Sequence, residues 1–323
     1  MAVADIGGRR ARGAAYSSRE GLSMRVFITG ASGHVGSAVV PELLSAGHEV
    51  IGLARSDASA AALEAAGAQV QRGNLDEPEA LAEAAAAADG VIHLAFKHEN
   101  MIAGDFLGAA DADLRVVRAF GEALAGSGKP LVGTSGTGLL AALGRTGTEA
   151  DSLPAGPRID SENEVIGFAE RGIRSSVVRL PPTVHSTLDR QGFVPILIAT
   201  AREKGVSAYV GEGANRWPAG HTLDAANLYR LALESAPAGT RLHAVGDEGI
   251  PLRRIAEVIG RHLDVPVVSI AAEDAPAHFG FLAPMVQLDN PTTAEATTSL
   301  LGWKPLHPNL IEDLEEAHYF TGR

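Results

Sequence analysis

Short apolar runs and helical stripes alternate along the first half of the chain. Runs at 25–29, 49–54 (EVIGLA), 68–72, 90–95 (GVIHLA), 130–134 (PLVGT) and 176–180 (SVVRL) predict strands. Most are continuous rather than alternating, the pattern of parallel strands covered on both faces. Stretches at 34–45, 57–66, 78–88, 105–125 and 158–171 carry helical spacing. Strand and helix in regular alternation predict an α/β fold, a doubly wound parallel sheet joined by right-handed crossovers. Pro41 falls inside the first helix and removes a backbone hydrogen bond, so a kink or 3₁₀ adjustment is expected there.

Beyond residue 185 the pattern loosens. Short helices (195–204, 222–235, 251–263) and short strands (207–210, 240–245, 265–270) are interspersed with Gly, Pro, His and Trp. This predicts a smaller C-terminal lobe over 186–323, its elements partly returning to the sheet of 24–185 and closing over the carboxyl edges of the strands. Residues 1–23 have neither periodicity nor an apolar run and read as a disordered extension rather than a secretory signal. Met24, directly before the first strand, is a candidate natural start.

The chemistry begins at residues 25–36, RVFITGASGHVG, where a strand runs into Gly-x-x-Gly-x-x-Gly and then a helix. Gly30 can take the tight turn, Gly33 lets backbone N–H groups approach a pyrophosphate, and Gly36 lets the helix lie close to the strand. Ser32, His34 and Val35 belong to the same loop, and the diphosphate of a dinucleotide would rest on the helix N-terminus. At the end of the second strand an acid would favour NAD and an arginine NADP. The chain has Ala54-Arg55-Ser56, which points to NADP as the preferred coenzyme with NAD admissible, while Asp57 is expected to cap the next helix. Asn74 and Leu75, in Asn74-Leu75-Asp76 after the third strand, are placed to edge the adenine ring.

Composition narrows the partners. A net charge of −12 without a basic stripe disfavours nucleic acid and anionic lipid. The absence of cysteine excludes disulfides, thiolate metal ligands and a Cys nucleophile. No run approaches the roughly 20 apolar residues of a membrane span, so a cytoplasmic location is the default expectation. No His-Glu-x-x-His or similar metal template occurs, and Gly133-Thr134-Ser135-Gly136 falls short of the hydrolase Gly-x-Ser-x-Gly.

Taken in order, TGASGHVG, the NLD after the third strand, GVIHLA, GTSG, RLPPTV, HTLDAA (221–226) and LGWKP (301–305) resemble an extended or atypical short-chain dehydrogenase/reductase. Within that superfamily the chain is similar to the NAD-dependent epimerase/dehydratase and 3β-hydroxysteroid-dehydrogenase-like branch. The resemblance implies a Rossmann-type sheet, a nicotinamide coenzyme, a substrate cleft under the C-terminal lobe, and a homodimer built on the helices at 105–125 and 158–171. It adds Leu94, Ala95, Phe96, Thr134, Pro181 and Thr183, at the strand ends, to the coenzyme-binding set.

One departure stands out. The family's Tyr-x-x-x-Lys proton-transfer pair is missing, since none of Tyr16, Tyr209, Tyr229 and Tyr319 has a lysine four residues on. With Ser161 aligned to the serine that usually precedes the lysine, Arg158 falls at the tyrosine position and Glu162 at the lysine position. Arginine stays protonated and cannot shuttle a proton, but it can polarise an oxyanion. Thr134 and Ser135 keep the hydroxyl side of the site, with Ser135 expected to meet a substrate carbonyl. His98, with an ordinary pKa near 6.5, and Lys97 are the candidate proton carriers, set against a plain reading as solvated loop charges.

His185 is a weaker candidate, and His221 and Asp224 read as structural. Trp217-Pro218, Tyr209 and Phe193 either wall an apolar pocket or pack the lobe. The leading expectation is an NAD(P)(H)-dependent oxidoreductase moving hydride between nicotinamide and a small carbonyl or secondary alcohol. A nucleotide-sugar epimerase or dehydratase and a non-catalytic NADP-binding sensor are the alternatives.

Overall fold

The computed structural model describes residues 23–321; the expected N-terminal extension and Tyr16 lie outside them. Seven parallel strands form the main sheet. In chain order they begin β1 (Arg25–Thr29), β2 (Glu49–Ala54), β3 (Gln69–Arg72), β4 (Gly90–His93), β5 (Pro130–Gly136) and β6 (Arg174–Leu180). Three strands then lie outside that sheet, β7 (Thr183–His185), β8 (Ser207–Val210) and β9 (Arg216–His221). The chain returns with β10 (Thr240–His243), which extends the main sheet, and continues through β11 (Asp247–Pro251) and β12 (Val267–Ile270). The spatial order is β10-β6-β5-β4-β1-β2-β3, so the strand order reverses between β1 and β4. Ligands of open α/β sheets sit outside the carboxyl ends of the strands at such a reversal.

Helices cover both faces. The intervening helices are α1 (Gly36–Ser45), α2 (Asp57–Ala65), α3 (Pro78–Ala87), α4 (His98–Ile102), α5 (Phe106–Leu124), α6 (Ile159–Gly167), α7 (Phe193–Lys204), α8 (Thr222–Ser235) and α9 (Leu252–Leu263). Val26, Ile28, Val39, Leu43 and Leu63 pack with Leu228, Tyr229 and Leu233 of α8 on one face of the sheet. Phe27, Leu81, Val116, Phe120 and Val165 build the other. A separate core, with Val194, Ile198, Trp217, Ile255 and Ile259, holds the C-terminal half. Residues 222–243 belong to the first body, because α8 and β10 complete the sheet's packing.

The expected elements of the sheet half recur within two residues at nearly every boundary, with three differences. Helix α1 runs unbroken through Pro41, whose ring is exposed, so the carbonyl it leaves without a partner can meet water. The stretch 158–171 is an α-helix to Gly167 and a 3₁₀ turn over Phe168–Arg171. Residues 98–102 form a one-turn helix not signalled by any apolar stripe. Strands β7, β9 and β11 and the helices α10 (Ala275–Phe279), α11 (Glu295–Leu301) and α12 (Leu310–Glu315) were also not expected. Segments such as RWPAGH and DEGIP carry Pro and Gly, and pairing across the lobe makes them strands where local preference does not.

Candidate active site

The glycine turn sits at the strand-order reversal. Gly30 has φ +70°, and a Cβ there would stand 2.7 Å from the Ala95 nitrogen, so only glycine lets the ends of β1 and β4 touch. A Cβ on Gly36 would lie 2.1 Å from the Gly30 carbonyl oxygen, which is how closely α1 rides on the turn. Gly33 closes the turn by donating its N–H to the Gly30 carbonyl at 3.0 Å. No side chain caps α1 and its first turn holds no acid, leaving the positive helix end open to an anion. The turn therefore fits a dinucleotide diphosphate. His34 reaches across to α8, its Nε2 2.9 Å from Thr222 Oγ1. Burial, then the nearby His185, push its pKa down to about 4.

The side expected to take the adenosine holds paired charges. Arg55 follows β2, and its guanidinium pairs with the Glu99 carboxylate of α4. Ser56, not Asp57, caps α2: its hydroxyl accepts from Ser59 N–H, and Asp57 instead pairs with Arg72 at 2.5 Å. The extended Ser56 backbone suits an N-cap, which the first helical residue cannot be. Asn74 turns its side-chain oxygen to the Asp76 N–H. Lys97 Nζ lies 2.5 Å from Asp76 Oδ1, in the Asn74–Asp76 turn after β3.

The catalytic side is organised by a carboxylate missed in the sequence. Asp113, on α5, is 2 % exposed. It takes Arg158 Nη1 on Oδ2 at 3.0 Å and has His93 Nε2 3.1 Å from Oδ1. His93 Nδ1 lies 2.6 Å from Thr29 Oγ1, so the chain reaches the base of the glycine turn. Burial opposes ionisation of Asp113, but Arg158 and His93 outweigh it and hold the carboxyl below its usual range. Arg158 also donates from Nη2 to the Thr134 carbonyl at 2.8 Å, and its guanidinium lies 4.4 Å from the centre of the Phe96 ring. Its backbone sits at φ +68°, strained for a side chain of this size, at the N-cap of α6. His98 is exposed but packs edge-on against Phe96 at 5.3 Å, and the loss of water on that side, with the charge of Arg158, lowers its pKa.

Thr134 and Ser135 point to opposite faces of β5. Thr134 Oγ1 bonds the His93 carbonyl at 2.7 Å and lies 2.8 Å from the buried Tyr229 hydroxyl. The Ser135 hydroxyl is buried beside the Glu162 carboxylate of α6, on the sheet face that α5 and α6 cover. Glu162 pairs through both oxygens with the buried Arg179 of β6, at 3.0 and 2.5 Å. Pro181 and Thr183 follow β6, both buried, and the Thr183 hydroxyl is unpartnered.

Three other expectations resolve as packing. Trp217 is fully buried, donates to the Met285 carbonyl at 3.0 Å and sits 5.9 Å from the Phe193 ring, filling the lobe core. His185 is buried with Nδ1 2.8 Å from Asp313 Oδ2. His221 caps α8, whereas Asp224 binds the Leu306 and His307 N–H groups and clamps the loop after α11. Among the described residues His221, Asp224 and His307 have spacing that could hold a metal ion, but these hydrogen bonds already engage the carboxylate and His221 Nδ1.

The family model for the "NAD dependent epimerase/dehydratase family" matches residues 26–123, the stretch that carries the turn and Asp113. An uncharacterized protein, C2A9.02, of Schizosaccharomyces pombe is 48% identical over 299 residues, 92% of this chain and 100% of its own length. The chain belongs to the NAD-dependent epimerase/dehydratase family. It is therefore an NAD(P)-dependent enzyme of the short-chain dehydrogenase/reductase type. A Stigmatella aurantiaca protein named 4-hydroxy-2-methyl-3-oxo-4-farnesyl-3,4-dihydroquinoline-1-oxide ketoreductase is 28% identical over 282 residues, 80% of each chain. The fold matches DesIV, a dTDP-glucose 4,6-dehydratase from Streptomyces venezuelae solved with NAD and TYD bound. The TM-score is 0.74 at 18% identity, covering 92% of this chain and 97% of that one.

Two outcomes test this geometry. Gly36→Ala should lower the unfolding free energy by about 1–3 kcal/mol by forcing α1 off the turn; an unchanged melting curve would separate helix from turn. Asp113→Asn should cost about 3 kcal/mol at neutral pH by leaving Arg158 without its counter-charge. The Asp113 carboxyl is lowered in the native state, so its contribution is complete above the unfolded value near 4 and fades as pH falls through the native one. Wild-type and variant stabilities should converge in acid, and a gap that stays constant down to pH 3 would assign the loss to packing.

Proposed function

We propose that the protein is an NADP(H)-preferring oxidoreductase that interconverts a small, fairly apolar carbonyl compound and its secondary alcohol, with Arg158 in place of the family tyrosine. The observation that carries this reading is the Arg158 guanidinium, braced by Asp113 and the Thr134 carbonyl above Phe96, beside the carboxyl ends of β4 and β5. When bound, a nicotinamide coenzyme supplies or accepts the hydride. Gly30, Gly33, Gly36 and the open end of α1 would hold its diphosphate, and Arg55 its adenosine end.

Arg158 uses one N–H on Asp113 and one on Thr134, which leaves further donors for a substrate oxygen. A fixed cation there stabilises the negative charge that builds on a carbonyl oxygen as it is reduced. It cannot deliver the proton. His98, beside the same Phe96 ring, is the proton carrier in this reading. Its lowered pKa leaves it neutral near pH 7, suited to take a proton in alcohol oxidation and to give one only in mild acid. The ketoreductase relative favours reduction of a carbonyl. The DesIV likeness, at 18% identity, is one of fold and adds no support for nucleotide-sugar chemistry.

Arg158→Gln should reduce turnover of a ketone and aldehyde panel with NADPH by about 10²–10³-fold, the scale of one lost oxyanion donor, while calorimetry gives the same coenzyme affinity. Equal turnover would remove Arg158 from the reacting oxygen. The reduction rate should climb as pH falls below 6.5, and His98→Ala should flatten that limb; an unaltered profile would assign the proton to another group.

A further inference from the structure

The acid that NAD recognition calls for at the end of the second strand is missing from β2. Its last residue is Ala54, Arg55 and Ser56 follow, and Asp57 is turned to Arg72. A carboxylate nevertheless comes to the Arg55 guanidinium from α4, where Glu99 grips it from 44 residues away. We propose that Glu99 is a coenzyme-selectivity residue, which competes with the adenosine 2′-phosphate of NADP for Arg55 and offers NAD an acceptor for its 2′-hydroxyl. The inference rests on reading the glycine turn and Arg55 as a nicotinamide dinucleotide site.

The pair is exposed, with Arg55 71 % and Glu99 57 % accessible, so by itself it is weak and can exchange partners. A phosphate monoester brings between one and two negative charges and several acceptor oxygens, enough to draw Arg55 from a single carboxylate. Glu99 keeps its own charge, since the hydrogen bond from Arg55 holds its carboxyl below the usual range. A bound 2′-phosphate therefore shares its cation with a neighbouring anion. A ribose 2′-hydroxyl meets no such penalty and can donate to a carboxylate oxygen.

The segment that carries Glu99 is fastened elsewhere. Phe96 lies under Arg158, Lys97 pairs with Asp76, and Asn100 donates to the Asp105 carboxylate at 3.2 Å. Neutralising Glu99 thus removes a charge without releasing α4. The arrangement would let one site admit both coenzymes. Arg55 serves the phosphate and Glu99 the hydroxyl, and each moderates the other.

Titration calorimetry of NADPH and NADH against wild type, Glu99→Gln and the Arg55→Gln/Glu99→Gln double variant tests this at constant ionic strength. Glu99→Gln should tighten NADPH about threefold to fivefold, the scale of one exposed ion pair, and leave NADH unchanged or weaker. The gain should shrink in the double variant, where no cation remains to be freed. Equal changes for both coenzymes, weaker NADPH binding, or a gain that persists in full without Arg55 would overturn the proposal. If wild type bound neither coenzyme, the dinucleotide reading itself would fall and this inference with it.

Discussion

A carboxylate that has lost contact with water must find its compensation within the protein, and at Asp113 the surrounding site supplies it. Taking such an ion out of water costs several kcal/mol unless partners meet it. Asp113 meets Arg158 on one oxygen and His93 on the other. The two partners come from different elements, His93 from the end of β4 and Arg158 from the head of α6. Through His93 the network continues to Thr29 at the root of the glycine turn. The dinucleotide turn and the candidate substrate cation are thus fixed relative to each other by one buried charge. The left-handed backbone of Arg158 is held by the same contacts, because strain of about 1–3 kcal/mol persists only where the surroundings over-determine it.

The second position of the missing pair follows the same logic with the signs reversed. Where the family has a lysine, Glu162 is buried and faces two arginines, Arg179 on β6 and Arg241 on β10. Burial resists its ionisation, yet Arg179 leads the groups that hold it ionised. Arg179 donates further to the Asp151 carbonyl and lies 3.2 Å from His243 Nε2, a ring kept neutral by burial. The positions of the tyrosine and lysine have become a cation and an anion that bind outward to other elements instead of acting together. That is a different electrostatic design on the same helix.

Most of the sheet half was legible, since continuous apolar runs and a glycine turn are local signals. Arg158 and Glu162 were also legible as departures, because a pattern names the positions at which it fails. The pairing of distant charges was not. Glu99 lies 44 residues from Arg55, and nothing in either neighbourhood marks the other. Asp113 did leave a trace: it falls on the stripe of Ala109, Val116, Val117 and Phe120, an acid on the buried face of its helix. Such an acid requires a cationic or donor partner. At the end of β5, strand alternation turns Thr134 toward Tyr229 of α8 and Ser135 toward Glu162 of α6, a division of the two hydroxyls that no local signal announces.

The same reasoning explains how the lobe is joined to the coenzyme turn. His34, inside the turn, approaches Asp189 of the lobe at 3.9 Å, which invites an ion-pair reading. Burial forbids it, because the ring is driven down to about 4 and is neutral at physiological pH. Burial also lifts Asp189 to about 6, its carboxylate being occupied by the Gly192 N–H and the Tyr319 hydroxyl. The join therefore rests on neutral hydrogen bonds: His34 to Thr222, and Thr222 to the His185 carbonyl and Ser186 hydroxyl. Bonds of that kind are directional and indifferent to salt, whereas the Arg55 side is held by exposed ion pairs that salt and anions loosen. The glycine-turn end is thus joined by contacts that stay fixed, and the Arg55 end by contacts that can exchange partners.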